Sequence, residues 1–304
     1  MLPILVTALM LAGVLRHRDD AKRLLLVLLM PLVLISETAA AEALKIASSK
    51  LPEKYDLFLY RADLTIFGFN PSFAIGHALQ GSMLLAVSAW CYTNLMAVGL
   101  AIYFVHFIRS DGEPIRAFLL LVIGPLFGYA LYYIVPACGP VYAFSSFPVY
   151  PADVGSATAH IIGPPNAMPS VHFSLGLFCF WLCRKWPVAR LFTIPFALFV
   201  TLATLALGEH YAVDLIVGLP FAAACFLLSE RRSLEATVCA GFVMASLLVF
   251  RFNPALIYKH ATPARIFCLL TTVVTFYLIE RTKRTAQSKT MHVPALKIPR
   301  GSVE

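Results

Sequence analysis

The sequence predicts an all-α, polytopic membrane protein, a bundle of transmembrane helices. Three observations carry this. Of the 304 residues, 60% are hydrophobic and only 13% are charged, about half the charged fraction of a soluble domain. Apolar runs of roughly 17–25 residues recur, the length that crosses a bilayer as a helix. These runs also lack the short polar–apolar alternation of membrane β-barrel strands.

The elements follow in order. The run 2–15 is short for a full crossing and reads as a short or tilted span, without the basic n-region of a signal peptide. With its basic loop it makes an N-terminal segment, 1–23. Span 24–45 follows Lys22 and Arg23 and precedes "TAAAEA", so a cleaved signal is a minor alternative. Segment 46–82 holds "YDLFLYRADLTIFGFNPSFAIGHAL". Arg61 and Asp63 argue against a simple span, and an exterior interfacial or re-entrant helix is expected. Spans 83–108 and 117–136 precede an exterior loop, 137–168. Spans 169–184, 190–207 and 211–229 follow, then additional transmembrane helices within 230–280. Residues 281–304 form a basic tail expected to be disordered and cytoplasmic.

The net charge of +8 is spread in short clusters between apolar runs, which is a topology signal and not a nucleic-acid footprint. Seventeen of the 24 Lys and Arg residues fall in loops 16–23, 109–116, 184–190 and 230–233 and in the tail. Seven fall in the alternate loops: Lys45, Lys50, Lys54, Arg61, Arg251, Lys259 and Arg265. The first set is therefore assigned to the cytoplasm, and loop 137–168 and the junction near Glu209 to the exterior. The seven cysteines sit mostly in apolar runs with no C-x-x-C, so they read as core thiols, neither a disulfide framework nor a zinc site.

Two stretches carry chemistry. In "NAMPSVHFS", Asn166–Ser174, Pro169 suits a first helical turn. A helix starting there would offer free backbone N–H groups to an anion, with Ser170 adding a hydrogen bond and His172 in the first turn. In "LGEHYAVDLIVG", Leu207–Gly218, His210 and Asp214 are four apart and share a helix face. A carboxylate there can take the proton of one imidazole nitrogen and leave the other as a nucleophile. Both histidines are expected at helix ends facing water, outside the packed bundle.

"AMPSVHFS" and "GEHYAVDLIVG" together resemble the second and third signature motifs of the type-2 phosphatidic acid phosphatase (PAP2) superfamily of lipid phosphatases and phosphotransferases. The resemblance covers residues 83–229 and implies a six-helix core, span 24–45 plus those five, within a catalytic unit 24–229. It implies that His210 is the nucleophile forming a phosphohistidine and that Asp214 orients and charges it. His172 would be the general acid that then serves as base. No metal or cofactor is implied.

There are departures from that pattern. The phosphatases carry a Lys and an Arg in a first motif and an Arg six residues before the nucleophile. Here the first-motif region reads "YYIVPACGPVYAF", Tyr132–Phe144, without either, and position 204 is Thr. Val171 stands where a glycine is usual. This pattern is closer to the inositol phosphorylceramide synthase and sphingolipid synthase branch. The expected activity is transfer of a phospho-headgroup from a phosphodiester lipid to a lipid hydroxyl. A lipid or polyprenyl phosphate phosphatase, with water as acceptor, is the alternative. Tyr132, Tyr133, Gly139, Pro140, Pro169 and Ser170 are the expected substrate contacts, with Arg61 compensating charge. The partners are the bilayer and its lipids, with no nucleic acid, and the expected place is a bacterial inner membrane with the site facing the periplasm. Two other classes are carried: a metal site on His172, His210 and Asp214, and a non-catalytic transporter or scaffold using the His–Asp pair as a proton relay.

Overall fold

A computed structural model describes residues 2–16, 20–50, 55–151, 163 and 165–291. Arg18, Lys54, most of the 137–168 loop beyond Pro151 and the tail beyond Met291 lie outside the described residues, as do the side chains of Lys22 and Arg23.

The chain opens with α1 (Leu2–Arg16) and α2 (Ala21–Ser49), followed by two short helices, α3 (Asp56–Phe67) and α4 (Pro71–Leu79). Next come α5 (Met83–Thr93), α6 (Leu95–Ile108), α7 (Pro114–Phe118) and α8 (Gly124–Leu131), the last two joined by a π-helical turn, Leu119–Ile123. A four-residue helix, α9 (Pro140–Ala143), precedes α10 (Val171–Leu182), α11 (Pro187–Ala206) and α12 (Ala212–Ser229). The chain continues as α13 (Ser233–Phe252), α14 (Ala255–Lys259) and α15 (Ala261–Met291).

Five stretches among the described residues are long and apolar enough to cross a membrane: Pro114–Leu131, Pro187–Ala206, Ala212–Ser229, Ser233–Phe252 and Ala261–Arg281. The pair α4–α5, bent by 118°, makes a sixth if it counts as one span. This is an all-α, multi-pass membrane protein. Leu191, Phe192 and Leu198 of α11 and Ile266, Leu269, Val273 and Phe276 of α15 are exposed, as lipid-facing residues are.

Three elements differ from expectation. The run 83–108 is two helices, because Asn94 turns its side chain back and Nδ2 donates to the Trp90 carbonyl at 2.8 Å, a local bond that competes with helix propagation. The run 169–184 yields only a 12-residue helix, α10, because Pro169 and Ser170 precede it. The tail is not wholly irregular: α15 runs on to Met291.

Two apolar clusters hold the bundle. One joins α6, the π-helical turn before α8, α10 and α12 through Tyr103, Phe104, Leu120, Phe178 and Phe226. The other lies under the motif loops and contains Leu59, Tyr60, Phe73, Phe144, Met168 and Tyr211. The basic loops gather at the far end of α12, whose 18 residues span about 27 Å. There Arg184 pairs with Glu230 at 2.7 Å, and Arg116 and Lys185 pair with Glu113 at 2.8 and 2.6 Å.

Candidate active site

The N-termini of α10 and α12 lie side by side. The Ser170 N–H donates to the Asp214 carbonyl at 3.3 Å, and Ser174 Oγ donates to the carbonyls of Ser170 (2.8 Å) and Gly218 (3.2 Å). A Cβ on Gly218 would stand 3.2 Å from the Ser170 oxygen and the Phe173 ring, so glycine there sets how closely the two ends approach.

His210 sits in the turn before α12, only 2% exposed. Its N–H donates to the Thr204 carbonyl at 3.0 Å, and its own carbonyl accepts from Ser72 Oγ at 2.7 Å. Its Nδ1 lies 2.8 Å from the Ala167 carbonyl. A carbonyl can only accept, so Nδ1 carries the proton and Nε2 holds the lone pair. The tautomer is thus set by the main chain. Asp214 Oδ2 is 3.6 Å from Nδ1, too far for a hydrogen bond, and it accepts the Tyr211 N–H at 2.8 Å. Asp214 Oδ1 is buried with no hydrogen-bond partner among the described residues. The carboxylate therefore caps α12 and supplies negative charge behind the imidazole; it does not make the direct bond that the i,i+4 spacing suggests.

The other imidazole stands at the second position of α10. Ser170 is the N-cap, its Oγ accepting the Phe173 N–H at 3.3 Å. Pro169 precedes the cap, so the helix starts two residues later than the sequence suggests. His172 is half-buried and stacks on Tyr92, with centroids 4.5 Å apart at 27°. The Tyr92 hydroxyl lies 3.2 Å from His172 Nδ1. The ring centroids of His172 and His210 are 5.9 Å apart. Reacting atoms meet at about 3–3.5 Å, so a phosphorus atom between the rings would be within reach of both. Neither ring is in open water, contrary to the expectation for helix-end histidines: Ser72 of α4 and Ala167 hold the His210 turn and ring, and Tyr92 of α5 covers His172.

Two carboxylates unforeseen as site residues hold this arrangement from α3. Asp63 accepts the N–H groups of Ala212 and Val213, both at 2.9 Å, capping α12 from outside the helix. Asp56 accepts the N–H groups of Cys138 (3.1 Å) and Gly139 (3.0 Å) and the Tyr211 hydroxyl (3.0 Å). Burial raises the pKa of Asp56 to about 6 and pushes Asp63 well above its ordinary value. The spacing of seven was the available signal, since residues two helical turns apart share a face. Arg61 is two positions from Asp63, roughly 200° round the helix. It is exposed, and its charge bears on the Tyr258 hydroxyl. The structure does not bring it to the histidine pair.

The first-motif segment acts as a brace. The Ala167 N–H donates to the Ala137 carbonyl at 2.9 Å and the Val141 N–H to the Gly208 carbonyl at 2.9 Å. Gly139 has φ +95°, and a Cβ on it would come within 2.3 Å of the Glu209 carbonyl oxygen. Gly139 and Pro140 are thus buried packing against the motif loop. Tyr132 is buried too, with its hydroxyl bonded to the Val171 N–H, while Tyr133 is partly exposed. Thr204 is buried, with its hydroxyl donating to the Thr201 carbonyl at 2.7 Å.

A family model described as the PAP2 superfamily matches residues 58–228, more than half of the chain. The chain belongs to the PAP2 superfamily. Members of that superfamily are phosphatases and phosphotransferases acting on lipid phosphates, and this protein is an enzyme of that class. No curated protein and no solved structure matches. The matched region begins inside α3, so Asp63 belongs to the superfamily core, whereas α1, α2 and α13–α15 lie outside it.

Within that core the superfamily's usual motif cations are missing, and the structure brings one cation from outside it. Lys45 of α2 is close enough for its charge to act on His172, and its ammonium pairs with Glu42 at 3.0 Å. Among the described residues no group of three or more His, Cys, Asp or Glu side chains is arranged to hold a metal ion. His172, His210 and Asp214 do not converge on a point, since Asp214 lies on the Nδ1 side of His210, away from its Nε2 lone pair.

Proposed function

We propose that this superfamily member is a lipid phosphotransferase moving a phospho-headgroup from a phosphodiester lipid to a lipid hydroxyl, as inositol phosphorylceramide synthases do. The supporting observation is a pair of imidazoles, one with its Nε2 lone pair freed by the Ala167 carbonyl, in a site without the usual motif cations. His210 Nε2 attacks phosphorus and the bond to the donor's diacylglycerol oxygen breaks, with His172 giving that oxygen its proton. Asp214 stabilises the charge that develops on the His210 ring. The acceptor hydroxyl then attacks the phosphohistidine and loses its proton to His172, and the P–N bond breaks. A monoester dianion calls for cations, usually bidentate Arg. Position 204 is Thr, Ala137–Met168 contains no Lys or Arg, and Lys45 is shared with Glu42. A diester carries one negative charge and asks less of the site. By the charge bias of the loops the site faces the exterior.

The test compares turnover on phosphatidylinositol, with and without ceramide or a diacylglycerol of different acyl chains, against turnover on phosphatidic acid. Acceptor-dependent turnover of the diester supports transfer. Faster hydrolysis of phosphatidic acid, indifferent to acceptor, makes the enzyme a phosphatase.

A further inference from the structure

The turn that carries His210 also carries an acid at the preceding position. Glu209 is half-buried, and its Oε1 and Oε2 lie 3.1 and 3.2 Å from the Tyr142 hydroxyl. Tyr142 belongs to α9, which the Val141–Gly208 backbone bond fastens to the same turn. The Glu209 charge also acts on the Tyr92 hydroxyl, the group that bonds His172. Glu209 is thus held on the turn next to the nucleophile, within electrostatic reach of the tyrosine that covers His172. Burial and the adjacent carboxylate raise the Tyr142 pKa to about 12, so its phenol stays protonated and donates. A phenol has one hydrogen to give. A carboxylate has about four acceptor positions, so with respect to the described residues most of Glu209's capacity is left for something else.

We propose that Glu209, held by Tyr142, is a specificity-determining residue that receives a hydrogen-bond-donating headgroup and repels a second negative charge on the phosphate. This rests on the phosphotransferase reading of the site. The carboxylate accepts hydroxyl or ammonium hydrogens from the alcohol part of the donor headgroup while the phosphodiester lies between the histidines. Charge-assisted hydrogen bonds of this type are about twice as strong as neutral ones. A monoester has no headgroup to offer and brings a dianion towards a fixed anion. One chemistry has two sources here, the hydroxyls of a polyol such as inositol and the primary ammonium of ethanolamine. Choline offers neither.

The experiment uses the full-length protein in vesicles doped separately with phosphatidylinositol, phosphatidylethanolamine, phosphatidylcholine or phosphatidic acid, with a ceramide acceptor or a diacylglycerol whose acyl chains differ from the donor's, so that exchange can be read by mass. Wild type should use phosphatidylinositol or phosphatidylethanolamine far better than phosphatidylcholine, and whichever is better names the source. Glu209→Gln should cut that preference in kcat/KM on the order of tenfold, through KM, while raising phosphatidic acid turnover relative to the diesters. Tyr142→Phe, which frees the carboxylate but keeps its charge, should disturb headgroup preference less than discrimination by charge is disturbed in Glu209→Gln. If the preferences among the four lipids all survive Glu209→Gln, the proposal is wrong. If Glu209→Gln does not fold, Glu209→Asp, which withdraws the carboxylate by one methylene, must shift the same ratios or the proposal falls. Fast wild-type hydrolysis of phosphatidic acid would overturn the transfer reading. The Glu209→Gln ratios would still decide the role of this carboxylate.

Discussion

The Tyr92 ring lies against His172, 4.5 Å between centroids, and its hydroxyl stands 3.2 Å from Nδ1. The contact leaves Nε2 as the nitrogen able to face a leaving oxygen. Tyr92→Phe keeps the stack and deletes one hydrogen bond, worth about 1 kcal/mol. Turnover should fall roughly fivefold, since 1.4 kcal/mol is a factor of ten, with the melting temperature little changed. Equal turnover and an unshifted pH–rate profile would remove Tyr92 from the mechanism.

His210 and His172 should both be needed for turnover, but their substitution should differ in stability. His210→Ala strands the buried Ala167 carbonyl, which costs about 1–3 kcal/mol. His172→Ala loses a partly exposed stack and should cost less. Diester substrate labelled in the headgroup phosphate should leave its phospho-headgroup on His210 in wild type quenched early. Label on any other residue refutes the nucleophile assignment.

Asp214→Asn tests charge apart from capping. An amide oxygen can still accept the Tyr211 N–H, so folding should be largely kept, while turnover should drop at least a hundredfold because the imidazolium loses its counter-charge. Asp214→Ala should lose both, with about 1 kcal/mol of helix-cap stability gone as well. If Asp214→Asn melts as early as Asp214→Ala, the separation of roles fails.

The α3 carboxylates give stability a defined pH slope. Below pH 4 Asp56 is protonated in both folded and unfolded chains. As pH rises towards the folded value of about 6, the unfolded chain ionises first, so folding loses up to about 3 kcal/mol. Above that the cost is constant. Asp63 acts with the same sign. Melting temperature in detergent should therefore decline from pH 4 to 7, and Asp56→Asn should flatten the decline. An identical slope in wild type and Asp56→Asn would show that Asp56 does not titrate there.

Sidedness can be read with cysteines at two exposed positions, Val149 (58%) and Ile115 (64%). Val149→Cys, on the side of the histidine pair, should react in intact cells with an impermeant thiol reagent. Ile115→Cys, by the ion-pair network, should react only after lysis. Reversed labelling turns the protein over in the membrane.

The sequence disclosed the helices where apolar runs were long, and the two histidines and Asp214 where polar residues interrupted them. It was silent wherever the main chain does the work. The acceptor for His210 Nδ1 is a carbonyl, which leaves no mark in residue type. Asp63 reads as the polar face of an interfacial helix and Asp56 gives no signal, because their partners are amides some 150 and 80 positions away. Nothing in residue type tells that Tyr132, Gly139 and Pro140 are buried, Gly139 against the loop that carries His210 and Tyr132 at the start of α10. Asn94 broke a run of uniform hydropathy through a bond that composition cannot register.

Because His210 Nδ1 donates to a peptide oxygen, no codon change at position 167 can take the acceptor away. Every replacement there keeps the carbonyl. A substitution survey will report Ala167, which is wholly buried, as a position sensitive only to side-chain volume, and the orientation of the nucleophile will have no genetic owner. Replacing the 167–168 amide with an ester, which weakens that oxygen as an acceptor, is the perturbation that would reveal it. This part of the catalyst is inherited as the path of the chain, beyond the reach of drift in its letters.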